Sequence, residues 1–286
     1  MAAHHPTSAP LMAILAFAIA CAAFKKESRT DAAAGPTLVT VTATDYAFEA
    51  PDTIAAGWTK FRLVNKGEQL HMALLIKLEG SRTLDEFLKA YGESFRTVRR
   101  SPRLEWARRR GGPGAAEPQS QSNATQYLEP GNYAWICIMN VPDGIPHVVK
   151  AGMAKSFTVR GPTTPQTAPS ASVVIRMVDY AFKISAPLTT GRHMIRVENV
   201  GVEPHEVGLL KLAPGKTMLD FQAWMRNPQG QPPANLFGGV SSLVTNSEAY
   251  FEVDLTPGDY LLVCLVTAPD GRPHTDHGMI QQVHIG

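Results

Sequence analysis

The chain has 286 residues, 27 basic and 25 acidic side chains, and an apolar fraction of 44%. This near balance excludes bulk nucleic-acid binding through a basic field, and the length allows two ordinary domains or one large one. The 22 prolines and 23 glycines suit a β-protein with many turns.

In chain order, the first feature is an apolar run, Leu11–Phe24, followed by Lys25 and Lys26. The run is shorter than the ~20 residues of a comfortable membrane-spanning helix and has the form of a secretory hydrophobic region. AIAC at 18–21 offers a small-residue cleavage site and also resembles a loose bacterial lipobox with Cys21 as the lipidated residue. Residues 1–24 are read as a signal- or lipoprotein-like segment and 25–36 as a tether. The chain is expected to be exported to the periplasm or cell envelope. A membrane tether through Cys21, simple cleavage and an uncleaved anchor all remain open.

Strand signals follow. Val39, Val41 and Ala43 alternate with threonines, and Val173, Ile175 and Met177 repeat the pattern. Phe61 and Leu63, then Ile195 and Val197, alternate before Asn-x-Gly turns. HMALLIKL and HEVGLLKL, NYAWICI and DYLLVCL, and finally KSFTV (155–159) and IQQVHI (280–285) complete the predicted strands. A helix is expected near 82–91 and another near 216–226. GPTTPQTAPSAS, 161–172, has no charge and reads as a linker.

The two halves align. DYAF at 45–48 recurs at 179–182, NKGEQLH at 65–71 matches NVGVEPH at 199–205, and LLIKL matches GLLKL, all at an offset of 134. EPGNY and TPGDY, Cys137 and Cys264, and PDGIPH and PDGRPH share an offset of 127, so the first copy carries seven extra residues between them. A repeat this long means duplicated domains, since solenoid repeats are much shorter. The expected organisation is domain 1 at 37–160, the linker, and domain 2 at 173–286. The expected fold is all-β: two tandem antiparallel β-sandwiches, each with a short helical insertion.

Four residue types coincide in each copy: His71, Cys137, His147 and Met153, then His205, Cys264, His274 and Met279. Two imidazoles, a thiolate and a weak axial thioether suit a blue-copper electron-transfer centre. Sulfur favours Cu(I), imidazole accepts both oxidation states, and the cysteine must ionise to bind. Taken singly, a strand cysteine or a lone methionine is ordinarily core; the coincidence of four types, twice, is what points to metal. The matched positions of Cys137 and Cys264 favour the same task done twice over a disulfide between them. His277 is unmatched in copy one and is read as a substitute for Met279, an exit-surface residue or a solvated side chain.

The motifs Asn65-x-Gly67-xxx-His71 and Asn199-x-Gly201-xxx-His205, Pro130–Cys137 and Pro257–Cys264, PDGxPH and the closing Gly-Met together resemble the cupredoxins, over nearly all of both repeats. The resemblance implies Greek-key β-sandwiches and at most one copper per domain. Nine residues separate each cysteine from the following histidine, a loop similar to the type 1 site of copper nitrite reductases. Met72 and Glu206 stand where the family commonly has Asn.

In that family, catalytic copper is held by a His preceding the Cys or by His-x-His pairs. Ile136 and Val263 precede the cysteines here, and no His-x-His occurs. The expectation is therefore a non-enzyme: an exported copper protein passing electrons to an exported redox partner. The alternative is a non-redox exported binding module, either a copper carrier or a metal-free sandwich. RTVRRSPRLEWARRR, 96–110, is read either as a docking surface for an acidic partner or anionic lipid or as a solvated segment. No phosphate-cradling Gly loop, zinc CxxC pair or nucleophile–base arrangement is visible.

Overall fold

In a computed structural model, residues 1–3, 35–98, 102–141, 143–162 and 166–286 are described. Contacts divide the chain into Met1–Ala32 and Ala33–Gly286, and everything below concerns the second unit. The Leu11–Phe24 run, Cys21 and most of the tether lie outside the described residues, as do Arg99 and Arg100. Among the described residues no helix is long and apolar enough to cross a membrane.

The alternating stretches become strands because their inward side chains are fully withdrawn from water. The first half contains β1 (Thr37–Thr44), β2 (Ala47–Glu49), β3 (Thr53–Ala55), β4 (Gly57–Asn65), β5 (Leu74–Leu78), α1 (Leu84–Val98), β6 (Ala107–Arg109), β7 (Gln121–Leu128), β8 (Gly131–Ile136), α2 (His147–Lys150) and β9 (Ala154–Arg160). The second contains β10 (Val173–Val178), β11 (Ala181–Ile184), β12 (Gly191–Asn199), β13 (His205–Leu212), α3 (Met218–Arg226), β14 (Ala234–Leu243), β15 (Ser247–Leu255), β16 (Gly258–Val263), a 3-10 turn at His274–His277 and β17 (Ile280–Ile285). The chain is all-β with two sandwiches, as expected.

Each sandwich closes over its own core. Val41, Phe61, Leu63, Trp135 and Phe157 pack together in the first, and Ile175, Val197, Phe251, Tyr260 and Leu262 in the second. Burying each such side chain is worth about 1.5–3 kcal/mol. α1 and α3 cover the outer faces through Phe87 and Tyr91, and through Phe221. Both helices begin at a threonine with reciprocal bonds to an acid three residues on, Thr83 with Glu86 and Thr217 with Asp220. α1 runs seven residues beyond the expected end at 91.

The purely antiparallel expectation is corrected. β1 pairs with β4 in parallel, Val39 beside Phe61 and Val41 beside Leu63, and β10 pairs in parallel with β12. In the first half, the chain crosses from β2 to β3 in the opposite sheet before returning as β4, so β1 and β4 run the same way.

The halves share one eight-stranded sheet, in the order β11-β10-β12-β15-β7-β4-β1-β2. At the junction Asn123 and Glu252 exchange two hydrogen bonds, Nδ2 to O at 2.9 Å and N to Oδ1 at 2.8 Å, while Thr125 pairs with Tyr250. Behind this, Arg110 bridges Leu243 and Pro113 bridges Val240. Position 113 and position 240 are themselves equivalent at the offset of 127, so the halves meet about a pseudo-two-fold axis, each offering the same strip to the other. Gly112 and Gly239 let each strip lie close against its own half: a Cβ would lie 2.2 Å from the Ala73 carbonyl and 2.0 Å from the Val207 carbonyl, and both have positive φ. The 161–172 segment is tied down where it is described, the Trp58 N–H donating to Gln166 Oε1 at 2.6 Å.

Candidate metal centres

Each centre is assembled at one end of its sandwich from two neighbouring stretches. His71 stands just before β5 and is held by a two-way backbone bridge to Ala116. Cys137 follows β8 directly, and His147 opens α2. The returning loop is pinned to the strand end: Val148 N–H donates to the Cys137 carbonyl at 2.9 Å, and Cys137 N–H to the Met153 carbonyl at 3.2 Å. In the second half His205, Cys264, His274 and Met279 are held by Cys264 N–H donating to the Met279 carbonyl at 3.1 Å and Met279 N–H to the His274 carbonyl at 2.9 Å.

Three donor atoms converge in each half. In the first, Cys137 Sγ lies 3.7 Å from His71 Nδ1 and 3.5 Å from His147 Nδ1, with the two nitrogens 3.2 Å apart. In the second the corresponding separations are 3.9, 3.3 and 2.9 Å. All six residues are completely buried. Met153 and Met279 are buried in the same cores as the cysteines and are bound to the triads through their backbones. His277 is outside the triad: its Nε2 pairs with Asp270 at 3.1 Å, and its ring stacks on Tyr180. His193 and His284 bond locally, to Thr189 and Asp259. Cys137 and Cys264 are both free, in separate triads, so no disulfide joins them.

Two aspartates, Asp45 and Asp179, complete the arrangement. Asp45 Oδ1 lies 3.0 Å from His71 Nε2 and accepts from the Glu68 and Gln69 backbone N–H groups. Asp179 Oδ1 lies 2.6 Å from His205 Nε2 and accepts from Glu203 N–H. The His71 bond is the main reason Asp45 sits below its ordinary carboxylate range. An ionised carboxylate at Nε2 requires the proton there, which leaves Nδ1 bare and aimed into the triad. The Asn-x-Gly turns make room. Asn65 Oδ1 accepts Gly67 N–H at 2.9 Å, and a Cβ on Gly67 would lie 2.4 Å from Asp45 Oδ1 and 2.9 Å from His71 Nε2. The repeated Asp-Tyr-Ala-Phe was visible in the sequence, but no role was assigned to its aspartate; the signal was its fixed place 26 residues before each histidine.

The donor chemistry fits copper. Among the described residues Nε2 of His147 and of His274 is buried without a partner, so each ring's polar company lies in the triad. Tyr46 closes edge-on over His147 at 5.3 Å and Tyr180 over His274 at 4.9 Å. Burial lowers the pKa of His147, His205 and His274, the last to about 4. Burial pushes the Cys137 thiol up to about 11 and, with the charge of Glu206 adding to it, raises Cys264 further. Burial thus favours the neutral forms of His147, His205, His274 and both thiols, and a cation that displaces the thiol proton gains one soft and two borderline donors in a dry cavity.

The arginine-rich segment turns partly inward. Arg103 pairs with Glu203 and donates to the Thr267 carbonyl, and Arg109 is buried. Arg103 stays exposed while it makes these contacts with the second half.

No family model and no curated protein matches the chain. Solved structures do. Auracyanin A, a "blue" copper protein from Chloroflexus aurantiacus, is 19% identical over 44% of this chain and 100% of that one, with a TM-score of 0.31. A blue copper oxidase from Nitrosomonas europaea is 13% identical over 88% of this chain and 86% of that one, TM-score 0.26. A laccase from Botrytis aclada is 10% identical over 82% of this chain and 54% of that one, TM-score 0.23. Identities and scores this low bear on no individual residue. The oxidase and laccase nevertheless correct the expectation of a non-enzyme.

Proposed function

We propose that this protein binds one copper in each triad and exchanges single electrons there. The observation that carries the reading is the paired convergence of two Nδ1 atoms and one Sγ, completely buried, in both halves. Copper held there supplies a one-electron couple. The chain's own residues do the rest. Asp45 and Asp179 fix one imidazole in the required tautomer, and the backbone bonds of Met153 and Met279 hold the cysteine and the second histidine in register. The Met153 and Met279 thioethers would be the fourth donors to the copper, on a ligand loop of the kind found in copper nitrite reductases. Tyr46 and Tyr180 exclude water, so little has to rearrange when the charge changes.

The reading extends to the protein's setting. The Leu11–Phe24 segment directs export to the periplasm or cell envelope, with Cys21 as a tether, and the electron partner is another exported redox protein. The halves at 37–160 and 173–286 arose as a duplication. Purified, copper-loaded protein tests the redox reading: it should be coloured by thiolate-to-copper absorption, bleach on one-electron reduction and recover on reoxidation. A colourless copper complex would defeat electron transfer and favour copper carriage.

A further inference from the structure

The two halves differ at the turn that carries the second histidine of each triad. His274–His277 is a 3-10 turn, in which side chains three apart eclipse. The rings of His274 and His277 therefore project on the same side, and Tyr180 touches both. Its ring meets His274 edge-on at 4.9 Å and lies nearly flat on His277, at 4.8 Å with 27° between the planes. Both are favourable aromatic arrangements. Asp270 holds the outer ring, its carboxylate 3.1 Å from His277 Nε2, and Arg272 ties the turn by donating to the Asp276 carbonyl at 3.1 Å.

The first half stops one ring short. His147–Lys150 is α-helical instead, and the residue three after His147 is Lys150, whose ammonium pairs with Asp143 at 2.8 Å. Tyr46 meets His147 edge-on at 5.3 Å, but it is itself exposed, and its hydroxyl accepts from Gln69 Nε2 at 2.8 Å.

The extra ring matters because His205, Cys264, His274 and Met279 are all completely buried. An electron bound for the second triad must cross covering atoms. His205, His274, Tyr180 and His277 form one file of rings, with successive centroids 4.7, 4.9 and 4.8 Å apart. The file ends at the surface, where 24% of the His277 side chain is exposed.

We propose that Tyr180 and His277 are the electron port of the second centre: an outer-sphere one-electron donor touches His277, and its electron tunnels across Tyr180 to His274. The inference rests on the copper reading above. One electron leaves the donor and reduces Cu(II) to Cu(I); neither ring is itself oxidised or reduced, and no bond or proton moves. Tunnelling falls off more steeply across a gap than through packed atoms, and here each ring is in contact with the next from His274 to the surface.

The test uses the full chain, copper-loaded, as Cys137→Ser to isolate the second centre. Hexaammineruthenium(II) in excess is the donor, and bleaching of the visible band is followed by stopped flow. His277→Ala should slow the reduction several-fold, and His277→Phe, which keeps a flat ring against Tyr180, should restore most of the rate. His284→Ala, which removes a surface histidine paired with Asp259, should leave it unchanged. The visible band and the reduction equilibrium constant should be the same in every variant, because His277 stands outside the triad. In the copper-free protein, NMR should find the His277 ring protons shifted upfield by the Tyr180 ring, and Tyr180→Leu should remove that shift. An unchanged or faster reduction in His277→Ala, a slower one that comes with an altered band or constant, no rescue by His277→Phe, or an absent ring shift would overturn the inference alone. Failure of the Cys137→Ser protein to take up stoichiometric copper would overturn the copper reading at this centre and the inference with it.

Discussion

Asp179 Oδ1 lies 2.6 Å from Nε2 of His205, on the side of the ring away from Cys264. The same relation joins Asp45 to His71 at 3.0 Å. Carboxylate–histidine–metal arrangements of this kind fix the tautomer and the ring plane, and their loss typically costs 10–100-fold in metal affinity. Asp179→Ala should therefore weaken copper binding at the second centre by about that factor and leave the first unchanged. Competition against a chelator of known affinity, in the Cys137→Ser chain, measures it; unchanged affinity would mean that backbone contacts alone hold the ring.

Gly201 is required for space. A Cβ there would lie 2.4 Å from Asp179 Oδ1 and 2.9 Å from His205 Nε2. Gly201→Ala should destabilise the copper-free protein by about 1–3 kcal/mol, the usual cost of overpacking, and should also weaken the second centre. Gly191→Ala is a poor control, since its φ is positive. Gly35→Ala, with open space around it, should be silent in the same denaturant titration.

The copper-free protein should lose stability as pH falls. His274 has its folded pKa lowered from 6.5 to about 4, first by burial and then by the neighbouring His205 charge. Between these values the unfolded chain binds a proton that the folded chain does not. Its contribution is thus fully present above pH 6.5 and is lost as pH drops toward 4, by about 3 kcal/mol. Denaturant midpoints across pH 7 to 4 should show this slope. Asn in place of His274 should flatten that part of it.

The pseudo-two-fold junction carries its own consequence. Residues 110–114 and β7 of the first half face the equivalent strip of the second, and a strip that pairs with its near copy can pair with itself. The isolated 37–160 segment should dimerise or aggregate through that strip. Sedimentation of the fragment tests this; a stable monomer at micromolar concentration would contradict it.

The residues that converge in each triad could be selected from the repeat, because a metal needs particular atom types and the duplicated register brought out the same four twice. Strand positions such as Val41 and Phe61 were legible from alternation. Their pairing was not, since alternation tells which face a residue occupies and nothing of which strand lies beside it; hence the parallel β1–β4 pair came from the structure. QSNATQYL, the strand β7, was missed because it lies at the junction, where Ser122, Thr125 and Gln126 are buried polar residues rather than an apolar stripe. Asp45 and Asp179 were missed because an exposed-looking Asp-Tyr carries no sign of the imidazole it will meet. Arg109 reads as solvent-facing charge in the sequence but is buried, its carbonyl accepting the Val244 N–H of the other half, whereas Arg103 remains exposed and pairs with Glu203.

The account's central claim is that each triad holds one copper through its cysteine. Copper content and the visible absorption of the full chain, compared with Cys137→Ser and Cys264→Ser, test it most directly. The prediction is two coppers per chain, falling to one with about half the absorbance in either variant. Fewer than one copper in the full chain, or absorbance unaffected by either substitution, would contradict it.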